Sequence, residues 1–391
     1  MRLYGILLFI IAFPSFKLSA QFYNLGQDPA SYHWRQIETP KFRLIYPENF
    51  EEQAQRMMNV LESTAPKVEL SLNHKTRQMP FIVHNGQITP NAFTIWTPRR
   101  IELYTTPPQN CYSQDWMEQL GIHEFRHAVQ MDMTNVGLTN VFYYMFGEMA
   151  PSVVTGLFVP MWFMEGDAVC TETALSHSGR GRTPSFEMEL RAQVLEKGRF
   201  SYNKAIMGSY RDFVPDHYVL GYQIVANTRK EFGAKVWANT MDFTGSLPIF
   251  INPFNQALKV NTGMKKRKLY YHTMDVMKSQ WEEQQKNTVY TSFHLITPQV
   301  KNKYIRYKYP HYLNDSTVVA ERVSYEDISR FVAIDRNGNE SVICTPGFFS
   351  SEVFSVRTGS SLNKPGTLTV DNLSTDGSFM VWTEKIADPR W

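Results

Sequence analysis

Two histidines four residues apart flank a glutamate in the segment HEFRH, which spans residues 123–127. On an α-helix, side chains at positions i and i+4 project from one face, so the imidazoles of His123 and His127 can both reach one Zn²⁺ at about 2.0 to 2.1 Å. Glu124 would face the open side of that metal, where its carboxylate can take a proton from water and pass it to a leaving amine. The spacing predicts metal-assisted hydrolysis with Glu124 as general base. The alternative is a solvated helix with two surface histidines.

A third ligand must lie elsewhere in the chain, because a catalytic zinc keeps three protein ligands and one open position. Glu165 is the best candidate, since it lies where the apolar run 161–164 passes into a helical stretch. Asp167 and Glu172 compete with it, one or two turns along the same helix. A carboxylate here can instead accept a hydrogen bond from the free ring N–H of a liganding histidine. We therefore expect one catalytic zinc ion, with Glu165 completing the ligand set.

The element that must carry the HEFRH segment is a helix. Asp115 can cap it, with Glu118 three residues later, and the apolar spacing continues to about Met131. Helices are expected to dominate as far as about residue 285. Within this region we expect Ser185 to cap a helix that runs to about Lys197, and a second helix over 219–232 that ends at Gly233.

Upstream of the motif, alternating apolar residues predict an α+β lobe over residues 21–108. A strand at 41–47 is followed by a long helix over 51–72. Further strands are expected at 79–84, 92–96 and 100–104, and two prolines end the last of them.

Short strands with turn signals fill residues 287–391. The clearest are 317–323, 330–335 and 341–344, with Asn337 and Gly338 as a two-residue hairpin turn. Asp376 and Gly377 predict another turn before a strand at 379–383. This texture is similar to the blades of a TolB-like or WD40-like β-propeller. A closed ring needs at least four blades of about 40 residues, so we expect an incomplete propeller-like segment, namely a truncated product, a gene fragment or a partial module completed by a partner.

The chain begins with the pattern of a cleavable secretory signal over residues 1–20. Arg2 precedes the apolar run 3–13, and Leu18, Ser19 and Ala20 offer a small-residue exit. A transmembrane anchor, the alternative, needs about 20 apolar residues, and this run breaks at Pro14. We therefore expect an exported protein of the periplasm, cell envelope or extracellular space.

Charge and cysteine content limit the partners and the source of stability. Lys and Arg number 40 against 37 Asp and Glu, a balance that argues against nucleic acid or an anionic membrane surface as the main partner. Cys111, Cys170 and Cys344 are too few and scattered for a disulfide framework, and Cys170 is expected to be a small buried hydrophobe.

Residues 136–164, in the gap between the second histidine and Glu165, are strongly apolar. Glu148, Pro151 and Pro160 interrupt a transmembrane interpretation, and Glu165 must return to the metal that His127 binds. A buried hairpin or a partly exposed lid is expected. An exposed lid could contact a membrane surface or a cell-envelope partner.

HEFRH followed by WFMEGDA at 162–168 resembles the gluzincin metallopeptidases, most closely the peptidase MA-like family, over about residues 21–285. The resemblance implies a zincin-type α+β fold: an N-terminal lobe with a mixed sheet and a long helix (21–108), and a mainly helical lobe with the active-site helix (109–286). The all-β propeller-like partial domain follows. By the same resemblance His123, His127 and Glu165 are the zinc ligands and Glu124 is the general base.

Two further features follow from the resemblance. Gluzincins often stabilise the oxyanion with a Tyr or His ahead of a helix that ends in an aromatic-Gly pair, and Tyr218 is the nearest match here. A sheet edge above the cleft pairs with extended substrate in this group, and the run 100–105 looks like that strand or like an ordinary edge strand. The rivals of Tyr218 are His217, Tyr210 and Tyr222.

The sequence thus predicts an exported zinc metallopeptidase that acts on a peptide or protein substrate. One alternative is a catalytically silent cell-envelope binding or scaffold protein with a structural zinc lobe. Another is a zinc hydrolase of a non-peptide amide, because zinc, water and base are indifferent to what bears the carbonyl. The sequence leaves the oligomeric state open.

Overall fold

The computed structural model describes residues 28–87, 91–106, 115–297, 300 and 303–345, and the backbone of 355–356, 367–375 and 380–385. These residues form a mixed α/β protein with a mixed five-stranded sheet, a helical region and separate antiparallel sheets. This confirms the coarse expectation of a lobe containing sheet and helix followed by β-structure. The zincin and propeller assignments stay predictions. The expected signal at 1–20, Cys111 and the turn at Asp376 lie outside the described residues.

The five-stranded sheet has the order β1-β2-β3-β5-β4. The three central strands run parallel, while β1 and β4 pair antiparallel at the two edges. Alternation explains why the sheet has one buried face, since Phe42, Leu44 and Tyr46 are almost fully buried. The strands are β1 (Trp34–Glu38), β2 (Phe42–Pro47), β3 (Met79–His84), β4 (Asn91–Trp96) and β5 (Arg99–Tyr104).

Two helices pack against this sheet and against each other, as the apolar spacing predicts. Helix α1 spans Glu51–Leu70 and forms the crossover between β2 and β3. Helix α2 spans Trp116–Met133 and carries the HEFRH segment. The predicted cap of α2 is confirmed, because the Asp115 side chain accepts hydrogen bonds from the backbone N–H groups of Met117 and Glu118.

Nine further α-helices follow in the described part of the chain. The predicted cap at Ser185 is wrong: the helix begins at Pro184 with Thr183 in the cap position and no side-chain cap hydrogen bond. Proline suits the first helical position because its φ is fixed and its missing N–H would be unpaired there. The helices are α3 (Gly137–Phe146), α4 (Met149–Phe158), α5 (Met161–Leu175), α6 (Pro184–Lys197), α7 (Tyr202–Met207), α8 (His217–Phe232), α9 (Val236–Ser246), α10 (Pro253–Thr262) and α11 (Lys266–Lys286).

Helices α5 and α8 cross with their backbones in contact. A Cβ atom added to Gly221 would lie 1.9 Å from the Trp162 carbonyl oxygen, and one added to Gly166 would lie 2.2 Å from the Gly221 carbonyl carbon. Any side chain at either position would force the helices apart. The crossing therefore sets where Tyr218, in the first turn of α8, lies relative to α5.

The C-terminal strands form a four-stranded antiparallel sheet in the order β6-β7-β8-β9 and a three-stranded sheet in the order β10-β12-β11. The predicted two-residue turn at Asn337 and Gly338 is wrong. Four residues separate β8 from β9, because the Asp335 carboxylate accepts from the backbone N–H groups of Asn337 and Asn339 and holds a wider turn. The strands are β6 (Ile305–Asn314), β7 (Thr317–Ser324), β8 (Arg330–Asp335), β9 (Glu340–Cys344), β10 (Ser355–Val356), β11 (Thr367–Thr375) and β12 (Met380–Lys385).

Contacts join the four-stranded sheet to the helical region. Arg306 pairs with Glu189 of α6 at 2.8 Å, and the Tyr304 ring stacks on Phe213.

Cys170 of α5 is buried, and burial raises the pKa of its thiol, which fits the expected small buried hydrophobe.

The apolar insertion forms the hairpin of α3 and α4, as expected, and part of its surface is exposed. Across the described residues no single helix has both the length and the apolar character to cross a membrane. Helices α4 and α5 reach that length only together, and the chain bends by 100° between them.

Candidate metal centre

The structure brings the three predicted ligands together. Glu165 Oε2 lies 3.2 Å from His123 Nε2 and 3.3 Å from His127 Nε2. One donor atom from each side chain lies within 4.8 Å of the other two. Helix α2 supplies both histidines and α5 supplies the glutamate, so the cluster depends on how these two helices pack. The cluster could hold a metal ion.

Hydrogen bonds on the far side of each imidazole orient it toward the cluster. His123 Nδ1–H donates to Glu172 Oε2 at 2.9 Å, and His127 Nδ1–H donates to Gln130 Oε1 at 2.9 Å. Carboxylate and amide oxygens only accept, so each histidine carries a proton on Nδ1. Each Nε2 faces Glu165 Oε2, so a cation that displaces the Nε2 proton meets a ring already oriented toward it, which is the arrangement that metal-liganding histidines use. The donor set of two imidazoles and one carboxylate fits zinc.

The same groups attract positive charge. Burial alone would lower the pKa of His123, but hydrogen bonds to Glu165 and Glu172 outweigh it and raise that pKa to about 9. Burial would raise the pKa of Glu165, yet the charge of His127 and the hydrogen bond from His123 hold it far below its ordinary value. A proton and a metal cation therefore compete for the same three side chains.

The two competing carboxylates of α5 are engaged elsewhere. Glu172 is fully buried and accepts from Arg180 at 2.5 and 2.8 Å in addition to His123. Asp167, also fully buried, accepts from Arg126 Nε at 2.6 Å and from Arg229 Nη2 at 2.9 Å, and these cations lower its pKa to about 2 against the effect of burial. Glu165 is thus the carboxylate of α5 that faces both histidines.

A buried polar network fixes α2 against α5. Arg126 is fully buried, binds Asp167 with two nitrogens, and also donates to the Val68 carbonyl of α1. Gln130 donates to the Met164 carbonyl and to Asp167, both at 2.9 Å. The helices that carry the three candidate ligands are consequently joined by charge-assisted bonds within one or two turns of the cluster.

Glu124 is 5% exposed and borders the same cleft. Thr94 Oγ1 lies 2.9 Å from Glu124 Oε2 and 3.0 Å from the Glu124 carbonyl oxygen. With one proton, the hydroxyl donates to one of these oxygens at a time. Strand β4 therefore holds the carboxylate in position from across the cleft.

The cleft has a volume of about 590 Å³ and runs along β4. The expectation that the strand at 100–105 forms the sheet edge is wrong, because β5 pairs with β3 on one side and β4 on the other. The edge strand beside the cleft is β4. It forms a hairpin with β5, and β5, although later in the chain, takes the inner position next to β3. The lining comes from residues 92–96 of β4, the HEFRH helix, Glu165, Tyr218, and the 155–164 segment of α4 and α5.

Of the four oxyanion candidates, Tyr218 is the one that lines the cleft. Its ring centre is 6.1 Å from that of His123, and the Arg180 guanidinium lies 5.2 Å from it. Burial raises the pKa of Tyr218, so its hydroxyl keeps its proton. His217 is exposed, Tyr210 is 98% exposed, and Tyr222 packs on Phe186 and Gly181.

Sequence reasoning did not find Thr94, Gln130 or Arg180. Gln130 had a usable signal, since it lies three residues after His127 on the same helix. Thr94 and Arg180 had none, because sheet pairing and the loop after α5 bring them to the site from distant positions in the sequence.

A scan against protein-family models and a search of curated proteins both found no match. The likeness to gluzincin metallopeptidases consequently rests on the HEFRH and WFMEGDA motifs alone.

Proposed function

We propose that the protein is an exported zinc-dependent metallopeptidase of the gluzincin type. The single observation that carries the proposal is the convergence of His123 Nε2, His127 Nε2 and Glu165 Oε2 in a cleft that also contains the carboxylate of Glu124. A structural zinc site has no use for a general base beside it, whereas hydrolysis needs both.

The residues of the cleft divide the reaction among them. A zinc ion bound by the three ligands would polarise the scissile carbonyl and lower the pKa of water. Glu124, oriented by Thr94, takes a proton from the attacking water and returns it to the leaving amine. Tyr218 donates its hydroxyl proton in a hydrogen bond to the oxygen that becomes negative in the transition state.

The edge strand β4 supports a peptide as substrate. The cleft follows five consecutive residues of this strand, 92–96, and so offers an extended chain a place to pair along the sheet edge. Backbone hydrogen bonding of this kind selects for extended peptide over a compact small amide. This geometry favours the peptidase over the hydrolase of a non-peptide amide.

The test combines metal content with cleavage. Elemental analysis should find one zinc per wild-type chain and much less in Glu165→Ala, while Glu124→Gln keeps its zinc. Cleavage of an unfolded peptide library should be abolished by Glu124→Gln and kept by Glu118→Gln, a half-buried control on the same helix. Zinc bound by wild type with no cleavage would overturn the peptidase and leave the binding-protein or small-amide alternatives.

A further inference from the structure

The hairpin of α3 and α4 turns apolar side chains outward. On α4 the exposed residues recur every four positions and form one stripe, while Ala150, Val154 and Thr155 pack inward. An ordinary surface helix shows the opposite pattern, with its polar side toward water. We name the outward side the hairpin face; its members are Val141, Tyr144, Met145, Met149, Val153 and Leu157, each 48–84% exposed.

The hairpin face carries no charge. Residues 133–164, all of them described, contain one charged side chain, Glu148. Arg77 binds its two oxygens at 2.8 and 3.2 Å while also binding Asp132 of α2, so Glu148 is turned toward the body of the protein. Protein-protein interfaces surround an apolar centre with a polar rim, whereas the interior of a bilayer accepts apolar side chains and penalises charge. The absence of outward charge therefore favours lipid over a protein partner.

The length of the helices limits how they can contact lipid. Each has 10 residues, about 15 Å, against a hydrocarbon thickness of about 30 Å. A helix of this length lies in the interfacial plane with its apolar side among the acyl chains. Tyr144, 84% exposed, is a residue type enriched at that depth.

We propose that the hairpin face docks the protein on the surface of a lipid bilayer. The exposed apolar segment 249–251 supports this, because it follows α9, which packs against both α3 and α4. The opposite side of α4 lines the cleft through the buried Thr155, so docking brings the cleft to within about one helix diameter of the membrane. The inference concerns binding and does not depend on the proposed function.

Flotation of the full chain with phosphatidylcholine vesicles tests the proposal. Wild type should float with the vesicles, and high salt should not release it, because no basic side chain takes part. The variant Met145→Glu/Leu157→Glu should lose at least about tenfold in partition coefficient for each side chain withdrawn from lipid. The control Met207→Glu/Val289→Glu changes two apolar residues elsewhere that are more exposed than Met145 and Leu157, at 85% and 98%, and should float like wild type.

Deuterium exchange on wild type locates the contact without any variant. Vesicles should slow exchange within 141–158 and leave 253–262 of α10 unchanged. Absence of flotation, equal flotation of the hairpin variant, or vesicle binding with unchanged exchange in the hairpin would each overturn the proposal. Wild-type oligomers that the hairpin variant converts to monomers, without flotation, would overturn it in favour of a second copy as the occupant.

Discussion

Thr94 contacts the general-base carboxylate from the opposite wall of the cleft, and this contact can be tested by itself. Its hydroxyl lies 2.9 Å from Glu124 Oε2, and a hydrogen bond to a charged group contributes about 1.5–3 kcal/mol. Thr94→Val keeps the shape and removes the donor, so kcat of the proposed peptidase should fall about 10- to 100-fold with KM little changed. Thr94→Ser restores the donor and should recover most of the activity. Equal losses in both variants would show that Thr94 acts only through packing.

Glu172 makes a separate residue-scale prediction, because it orients His123 without facing the cluster. Glu172→Gln keeps the size and gives up the charge that accepts the Nδ1 proton. Metal affinity should fall about 10- to 100-fold, the usual cost of losing such a partner. Competition with a metal-binding dye measures the metal affinity. The control is Glu189→Gln, which changes a half-buried glutamate of α6 that lies away from the cleft. Unchanged affinity in Glu172→Gln would contradict the orienting role.

At the scale of elements, local signals in the sequence located helices better than they located neighbours in space. Asp115 and the 3.6-residue spacing predicted α2 to within two residues, since capping and amphipathicity depend on nearby positions. The sheet edge was misplaced, because which strand of the β4–β5 hairpin pairs with β3 depends on residues far away in sequence. The motif was enough to predict Glu165 as the third ligand. The sequence could not predict the buried bonds to Arg126, Arg229 and Arg180 that engage Asp167 and Glu172 and so exclude them as ligands.

The crossing of α5 and α8 yields a prediction about an element. Gly221→Ala places a methyl group 1.9 Å from the Trp162 carbonyl, so the helices must separate, at a cost of about 1–3 kcal/mol or more. The Tm should fall, and the metal affinity should fall with it, because α5 carries Glu165. Gly156→Ala is the matched helical control: its added methyl group meets only Trp96, at 4.0 Å, so stability should be unchanged or raised by up to about 1 kcal/mol. Thermal unfolding of both variants measures these changes. An unchanged Tm in Gly221→Ala would refute the close crossing of α5 and α8.

At the scale of the whole molecule, a metal in the cluster would join α2, which packs on α1 and on β4 of the sheet, to α5 within the helical region. Arg126 and Gln130 already connect these helices through Asp167, so the fold should survive metal removal while losing stability. A ligand present at 1,000 times its Kd stabilises by about 4 kcal/mol, and each kcal/mol shifts Tm by about 2–4 °C in a chain of 150–250 residues.

Chelation should therefore lower the Tm of zinc-loaded wild type by on the order of 10 °C and leave the far-ultraviolet circular dichroism unchanged below the transition. Glu165→Ala lacks one of the three ligands, so its Tm should already be low and should respond little to the chelator. Re-adding zinc to the chelated wild type should restore its original Tm, because Glu172 and Gln130 keep the imidazoles oriented when the metal is absent. Identical melting of loaded and chelated wild type would mean that the cluster does not bind zinc. An equal drop in wild type and Glu165→Ala would mean that the stabilising ion binds elsewhere.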